Sequence, residues 1–288
     1  WPVTWAAYHG ENPVISGGRR IQGPWEKKTV NGKTAYATAV PSELLEHGGF
    51  TQLWVNGERR ERPRLPKKGL WQVERGLAAE ADFAGHGHIK KSTGCVYQPG
   101  QLLADWHNLN DVQLHFFGWW IDRHVKIHSI DEDSRTVYFD RTAKLRMEWS
   151  PGDGVDFVVE NVFEALTEPG EWYLDRPTGK LYYIPMPGED METAEIVAGK
   201  LQRLVDIDGG GNWGPTGEGN EDSRGGGGGF LHFEGIAFAH CEWRLPGNQA
   251  GDKQAAAHVP AAVVVRRAEP RRLQRNRHQG ADRTIPAL

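Results

Sequence analysis

Cysteine is scarce in this 288-residue sequence: Cys95 and Cys241 are too few and too far apart for a disulfide framework, so they leave the redox compartment open. Charge of one sign is lacking as well. Lys and Arg number 34 against 38 Asp and Glu, a net charge of −4, which gives no bulk attraction to nucleic acid or to a membrane surface. No apolar run is long enough to cross a bilayer. Helical periodicity is almost missing, and only residues 42–47 read as a short helical turn, with Pro41 before it, Ser42 as its N-cap and Gly48 ending it. The sequence opens on Trp1 without an initiator Met or a secretory pattern, so a processed chain or a cut-out segment is expected. A Gly-x-Ser-x-Gly elbow is also missing, which removes serine-hydrolase chemistry even though His47-Gly48-Gly49 is present. What is plentiful is Trp (12), Gly (36) and Pro (17). Gly and Pro mark many tight turns, and Trp offers flat faces that stack on sugar rings.

Those turns punctuate strands. Residues 51–56 alternate and lead into the turn dipeptide Asn56-Gly57, a hairpin signal. Three β-rich stretches follow between residues 112 and 140, with 131–134 as a turn, and predict an antiparallel meander. Residues 171–175 and 180–185 flank Arg176-Pro177-Thr178-Gly179 and predict another hairpin. Past residue 201 the strands shorten, and Ile207, Ile236 and Val263 are spaced by 29 and 27 residues, near one turn of a β-solenoid with small insertions, so parallel stacking of these three is expected. The Gly-rich stretch 209–229 predicts a mobile surface loop, and residues 266–288, with seven Arg against one Glu and one Asp, predict a disordered tail.

Candidate chemistry is sparse. Glycoside hydrolysis needs two carboxylates, roughly 5–5.5 Å apart for retention or 6.5–9.5 Å for inversion. The densest acidic patch near aromatics is Glu160, Glu164, Glu168, Glu171 and Asp175, and within it Glu171 and Asp175 point to the same face of one strand. The competing reading has Asp175 capping its own turn. Trp119, Trp120, Trp172 and Tyr183 come from adjacent aromatic pairs in which alternation turns one ring of each pair outward, where it is a candidate for saccharide contact; core packing is the alternative. His86, His88 and Cys95 have donor chemistry for a metal, but no second cluster completes a shell, so no metal or other cofactor is expected. Residues 58–68 are basic and read as a solvated face.

Several segments resemble a known family. PVISGG at 13–18, FTQLWVNG at 50–57, PGEWYLD at 169–175, GKLYYIP at 179–185 and GIAFAH at 235–240 are similar to bacterial right-handed parallel β-helix, pectin-lyase-like carbohydrate-active proteins, above all glycoside hydrolase family 141. The resemblance implies an all-β fold. Incomplete right-handed parallel β-helix coils would occupy residues 1–57 and 201–265, an antiparallel β-rich insertion residues 58–200, and the Arg-rich tail residues 266–288. It also implies a secreted or periplasmic protein with a carbohydrate substrate and no nucleic-acid or membrane partner. In such proteins the catalytic carboxylates are expected on later coils than these, and the alternative function is a non-catalytic carbohydrate-binding or structural β-helix fragment.

Overall fold

A computed structural model describes residues 3–77, 92–117, 122–143, 154–208, 231–244 and 262–266. Trp119, Trp120, His86, His88, the 209–229 loop and residues 267–288 lie outside the described residues. Within them the fold is all-β: strands carry the architecture, and the helical segments are four single 3₁₀ turns. The predicted turn after Pro41 is two of these, Ser42–Leu44 and Glu46–Gly48. Pro41, not Ser42, is the N-cap residue of the first, without a side-chain cap.

The largest sheet is antiparallel throughout. Its centre is the predicted meander, Gln113–Phe117 beside Asp122–Asp131 beside Thr136–Ala143, and Asp156–Glu160 pairs with the free edge of Gln113–Phe117. The five residues QLHFF explain the layer order. Leu114 and Phe116 alternate onto one face and pack with Val125, Ile127, Phe157 and Val159, all buried. Gln113 and His115 point to the opposite face, which is therefore polar yet also covered.

Two four-stranded antiparallel sheets complete the body. One joins the predicted hairpin Trp172–Asp175/Lys180–Tyr183 to the hairpin Glu26–Val30/Lys33–Ala39. The other places Ile196–Gly199 between Gly18–Arg20 and Leu53–Val55, with Glu58–Arg60 outside. Elements from residues 17–60 thus share sheets with elements from 172–199, in place of stacking as coils of their own. The reason is local. Asn31-Gly32 and Asn56-Gly57 both have positive φ at each position, which closes two-residue hairpins, whereas parallel neighbours need a crossover of roughly a dozen residues or more.

Parallel pairing among the described residues is limited to three two-stranded pairs, Val3–Ala6 with Leu231–Glu234, Val14–Ser16 with Ala237–Ala239, and Val205–Asp208 with Val263–Arg266, and the isolated bridge between Glu61 and Glu171. Of the three strands expected to stack, those at residues 205–208 and 263–266 do pair in parallel, but as direct neighbours with Ile207 opposite Val265, so the steps of 29 and 27 residues are not successive turns. The strand after Ile236 does not join that pair; it returns to the N-terminal segment.

Candidate functional site

The return of the chain at residues 237–244 builds the most unusual chemistry. Gly17 donates its amide to the Ala239 carbonyl, 3.0 Å, and Glu242 donates its own to Leu201, 2.8 Å. This segment lies hard against the Gly18–Arg20/Ile196–Gly199 strands because glycines face it. A Cβ at Gly18 would meet Val197 Cγ1 at 2.3 Å and His240 Cβ at 2.8 Å, and one at Gly199 would meet Glu242 Oε2 at 2.6 Å. His240 sits at φ 58, hydrogen-bonded through Nδ1 to Ser16 Oγ at 2.9 Å, with its ring edge on Trp54.

Close packing buries the Glu242 carboxyl, which is 3% exposed. The Thr51 amide donates to both of its oxygens, at 3.0 and 3.1 Å. The Thr51 hydroxyl has one hydrogen and two close oxygens, Trp243 O at 2.6 Å and Glu242 Oε1 at 2.5 Å. A carbonyl can only accept, so a hydroxyl that donates to Trp243 requires the carboxyl to bring the hydrogen for the second contact. Electrostatics agree: burial outweighs the Thr51 bonds and the Arg244 charge and pushes the Glu242 pKa up to about 7.

Trp243 carries the segment onto the polar face of the large sheet. Its ring lies 5.4 Å from that of His124, which stacks on His115 at 3.9 Å, and His115 Nδ1 is 3.9 Å from Glu160 Oε1. Arg62 donates through Nη2 to Glu160 Oε2 at 2.6 Å and to Gln113 Oε1 at 3.0 Å. Burial of Glu160 favours its neutral form, but Arg62 and the two histidines outweigh it and hold the carboxyl well below the usual carboxylate range. Arg59 is within electrostatic reach of both Glu160 and Glu242. The polar face thus holds Glu160 ionised, while the Glu242 carboxyl next to Trp243 keeps its proton up to about pH 7, a divergence of the kind that separates acid from base roles.

The residues singled out from sequence have other surroundings. Glu171 is buried; it pairs with Lys67 and accepts the amides of Thr167 and Glu168, each at 3.0 Å. Asp175 accepts from Asn108 Nδ2 at 3.0 Å and lies 3.5 Å from His107 Nε2. Burial opposes its charge, yet bonds from Thr178, Asn108 and His107 together keep its pKa low. The two carboxyls thus have separate partners, Glu171 tied to Lys67 and its own turn and Asp175 to Asn108 and His107. Trp172 and Tyr183 are 0% exposed, so neither offers a face to a saccharide. Trp172 stacks on Phe50 and donates Nε1–H to Arg60 O, and Tyr183 bonds Glu189 and Arg60. Nor is the basic stretch 58–68 simply solvated: Arg60, Arg62 and Lys67 turn inward because Glu189, Glu160 and Glu171 need their charge. Cys95 is buried and its thiol pushed up by that burial, which makes it an inert core group.

No family model matches the sequence, and no curated protein matches it. Among solved structures the chain is similar to a glycoside hydrolase, with a TM-score of 0.56 and 22% identity. The match covers 84% of this chain and 39% of that one. At such identity the likeness is one of fold, and this chain spans well under half the length of the solved protein.

Proposed function

We propose that the protein acts on carbohydrate as a glycoside hydrolase-like chain, with Glu242 as proton donor and Glu160 as the ionised carboxylate. One feature carries this reading: two carboxyl groups are tuned in opposite directions, Glu160 held ionised by Arg62 and the histidines beside it, and Glu242, sealed against Thr51 and Gly199, pushed up to about 7 by burial. Cleavage of a glycosidic bond uses such a pair, an acid protonating the leaving oxygen and a carboxylate serving as base or nucleophile, without a cofactor. The fold likeness to a glycoside hydrolase supports the same direction.

Glu242→Gln is the discriminating variant, because its amide still donates toward Thr51 while the transferable proton is gone. Together with Glu160→Gln it is expected to lower kcat on aryl glycosides or polysaccharide by about 10²–10⁴-fold with the fold retained. Wild-type turnover by both variants sinks the assignment. A second reading, a non-catalytic carbohydrate-binding or structural role, is favoured by the burial of Glu242 and the turn of both its oxygens toward Thr51. It predicts saccharide binding without turnover, unchanged in Glu242→Gln.

Kinship with glycoside hydrolase family 141, right-handed parallel β-helix coils around an insertion from about residue 58 to 200, and a secreted or periplasmic location belong to the same proposal. Support for the coils comes from the three parallel pairs, two of which join the first sixteen residues to residues 231–239.

A further inference from the structure

A separate cleft opens where Gln22-Gly23-Pro24-Trp25 passes residues 190–196, with Tyr36 in its wall and a volume of about 720 Å³. That is within the range, roughly 300–1,000 Å³, of small-ligand sites. We infer that this cleft is a binding subsite for a short neutral oligosaccharide, apart from the Glu160 and Glu242 layer. Trp25 and Tyr36 line the cleft half-buried, packed against the core cluster that includes Trp172, Leu174, Leu181 and Tyr183. Rings held in this way present a rigid apolar face to the C–H side of a pyranose without a large entropy loss on binding.

The polar rim fixes the charge of the ligand. Among the described residues of the lining Arg20 is the one cation, and Glu195 already pairs with it. Asp190 and Glu192 remain, so the lining carries an excess of negative charge that repels uronate or sulfate groups. The Asp190 carboxylate is partly used by its own turn, accepting the Glu192 amide at 3.0 Å and lying 3.2 Å from Thr193 Oγ1. Glu192 is exposed beside the rings, an acceptor for paired hydroxyls. Sugar as the ligand class rests on the carbohydrate reading above; the cleft, its rings and its charge do not.

Calorimetric titration of the full chain with neutral xylo-, manno- and cello-oligosaccharides, a galacturonate oligomer and a glucosamine oligomer tests the inference. Saturable binding of a neutral oligomer is expected, weakened at least about tenfold by Trp25→Ala and also weakened by Glu192→Ala, whose exposed site leaves folding intact. Preference for the anionic oligomer, absence of neutral binding, or neutral binding untouched by both variants would each overturn it, whereas binding of the glucosamine oligomer alongside the neutral ones accords with the negative lining. A separate turnover assay of the unmodified chain keeps the two proposals apart. Hydrolysis with variant-insensitive binding rejects the cleft alone, and variant-sensitive binding without hydrolysis rejects the catalytic reading alone.

Discussion

Glu242 and Thr51 stand 191 residues apart, and one hydrogen governs how they meet. The consequence is a measurable pH dependence. Below the ordinary glutamate value of 4.5 both folded and unfolded chains hold this proton. Between 4.5 and about 7 the unfolded chain releases it while the folded chain keeps it, so stability falls as the pH rises, by about 3 kcal/mol in all, and then levels off. His240, whose pKa is lowered by burial, works in the opposite sense and adds stability as the pH rises toward 6.5. The comparison that isolates Glu242 is therefore wild type against Glu242→Gln. Urea denaturation at pH 4.5 and pH 7.5 is expected to show the variant gaining on wild type at the higher pH, and parallel curves would reject the protonated carboxyl. Nothing near Glu242 in the sequence announces this: HCEWR carries no motif, and the burial comes from Gly199 and Thr51, distant along the chain. Alternation misled in the opposite way at Trp172 and Tyr173. One ring was expected outward, but both faces of that strand are covered, Trp172 by Leu53 and Phe50 and Tyr173 by Phe163 and Ile184.

Elements were legible where turn chemistry was strong. Asn56-Gly57 closes the predicted hairpin with φ of 53° and 79°, Gly179 ends the 176–179 turn at φ 65°, and the meander forms in the expected order. By the same rule Asn31-Gly32 marks the Glu26–Val30/Lys33–Ala39 hairpin, an equally local signal that the polar strand EKKTV obscures. Sheet membership was not legible, because pairing of Ile196–Gly199 with two N-terminal strands depends on contacts far apart in sequence. Element-scale stability should follow the turns. Gly57→Ala places a Cβ in a left-handed conformation with open space around it, so backbone strain is the whole effect. A loss of about 1–2 kcal/mol in chemical denaturation is expected. A neutral result would mean that the turn relaxes to another type at little cost.

At the scale of the molecule, the first strands and residues 231–239 close the chain on itself, and the site segment hangs from that closure. Gly17 holds Ala239, Gly18 admits His240, and only then do Glu242 and Trp243 reach Thr51 and His124. The carboxyl's proton should therefore depend on a residue with no contact to it. Gly18→Val adds a branched side chain where even a Cβ would lie 2.3 Å from Val197 and 2.8 Å from His240. With the core strand fixed on one side, the 240–244 segment is the part free to move away. The expected loss is about 1–3 kcal/mol from overpacking. More informative is the pH response: once Glu242 is released to water, its pKa returns toward the ordinary range and the fall in stability between pH 4.5 and 7 disappears. The double variant Gly18→Val/Glu242→Gln should then track Gly18→Val at every pH. If the wild-type pH slope persists in Gly18→Val, the glycine contact does not hold the segment and the coupling fails.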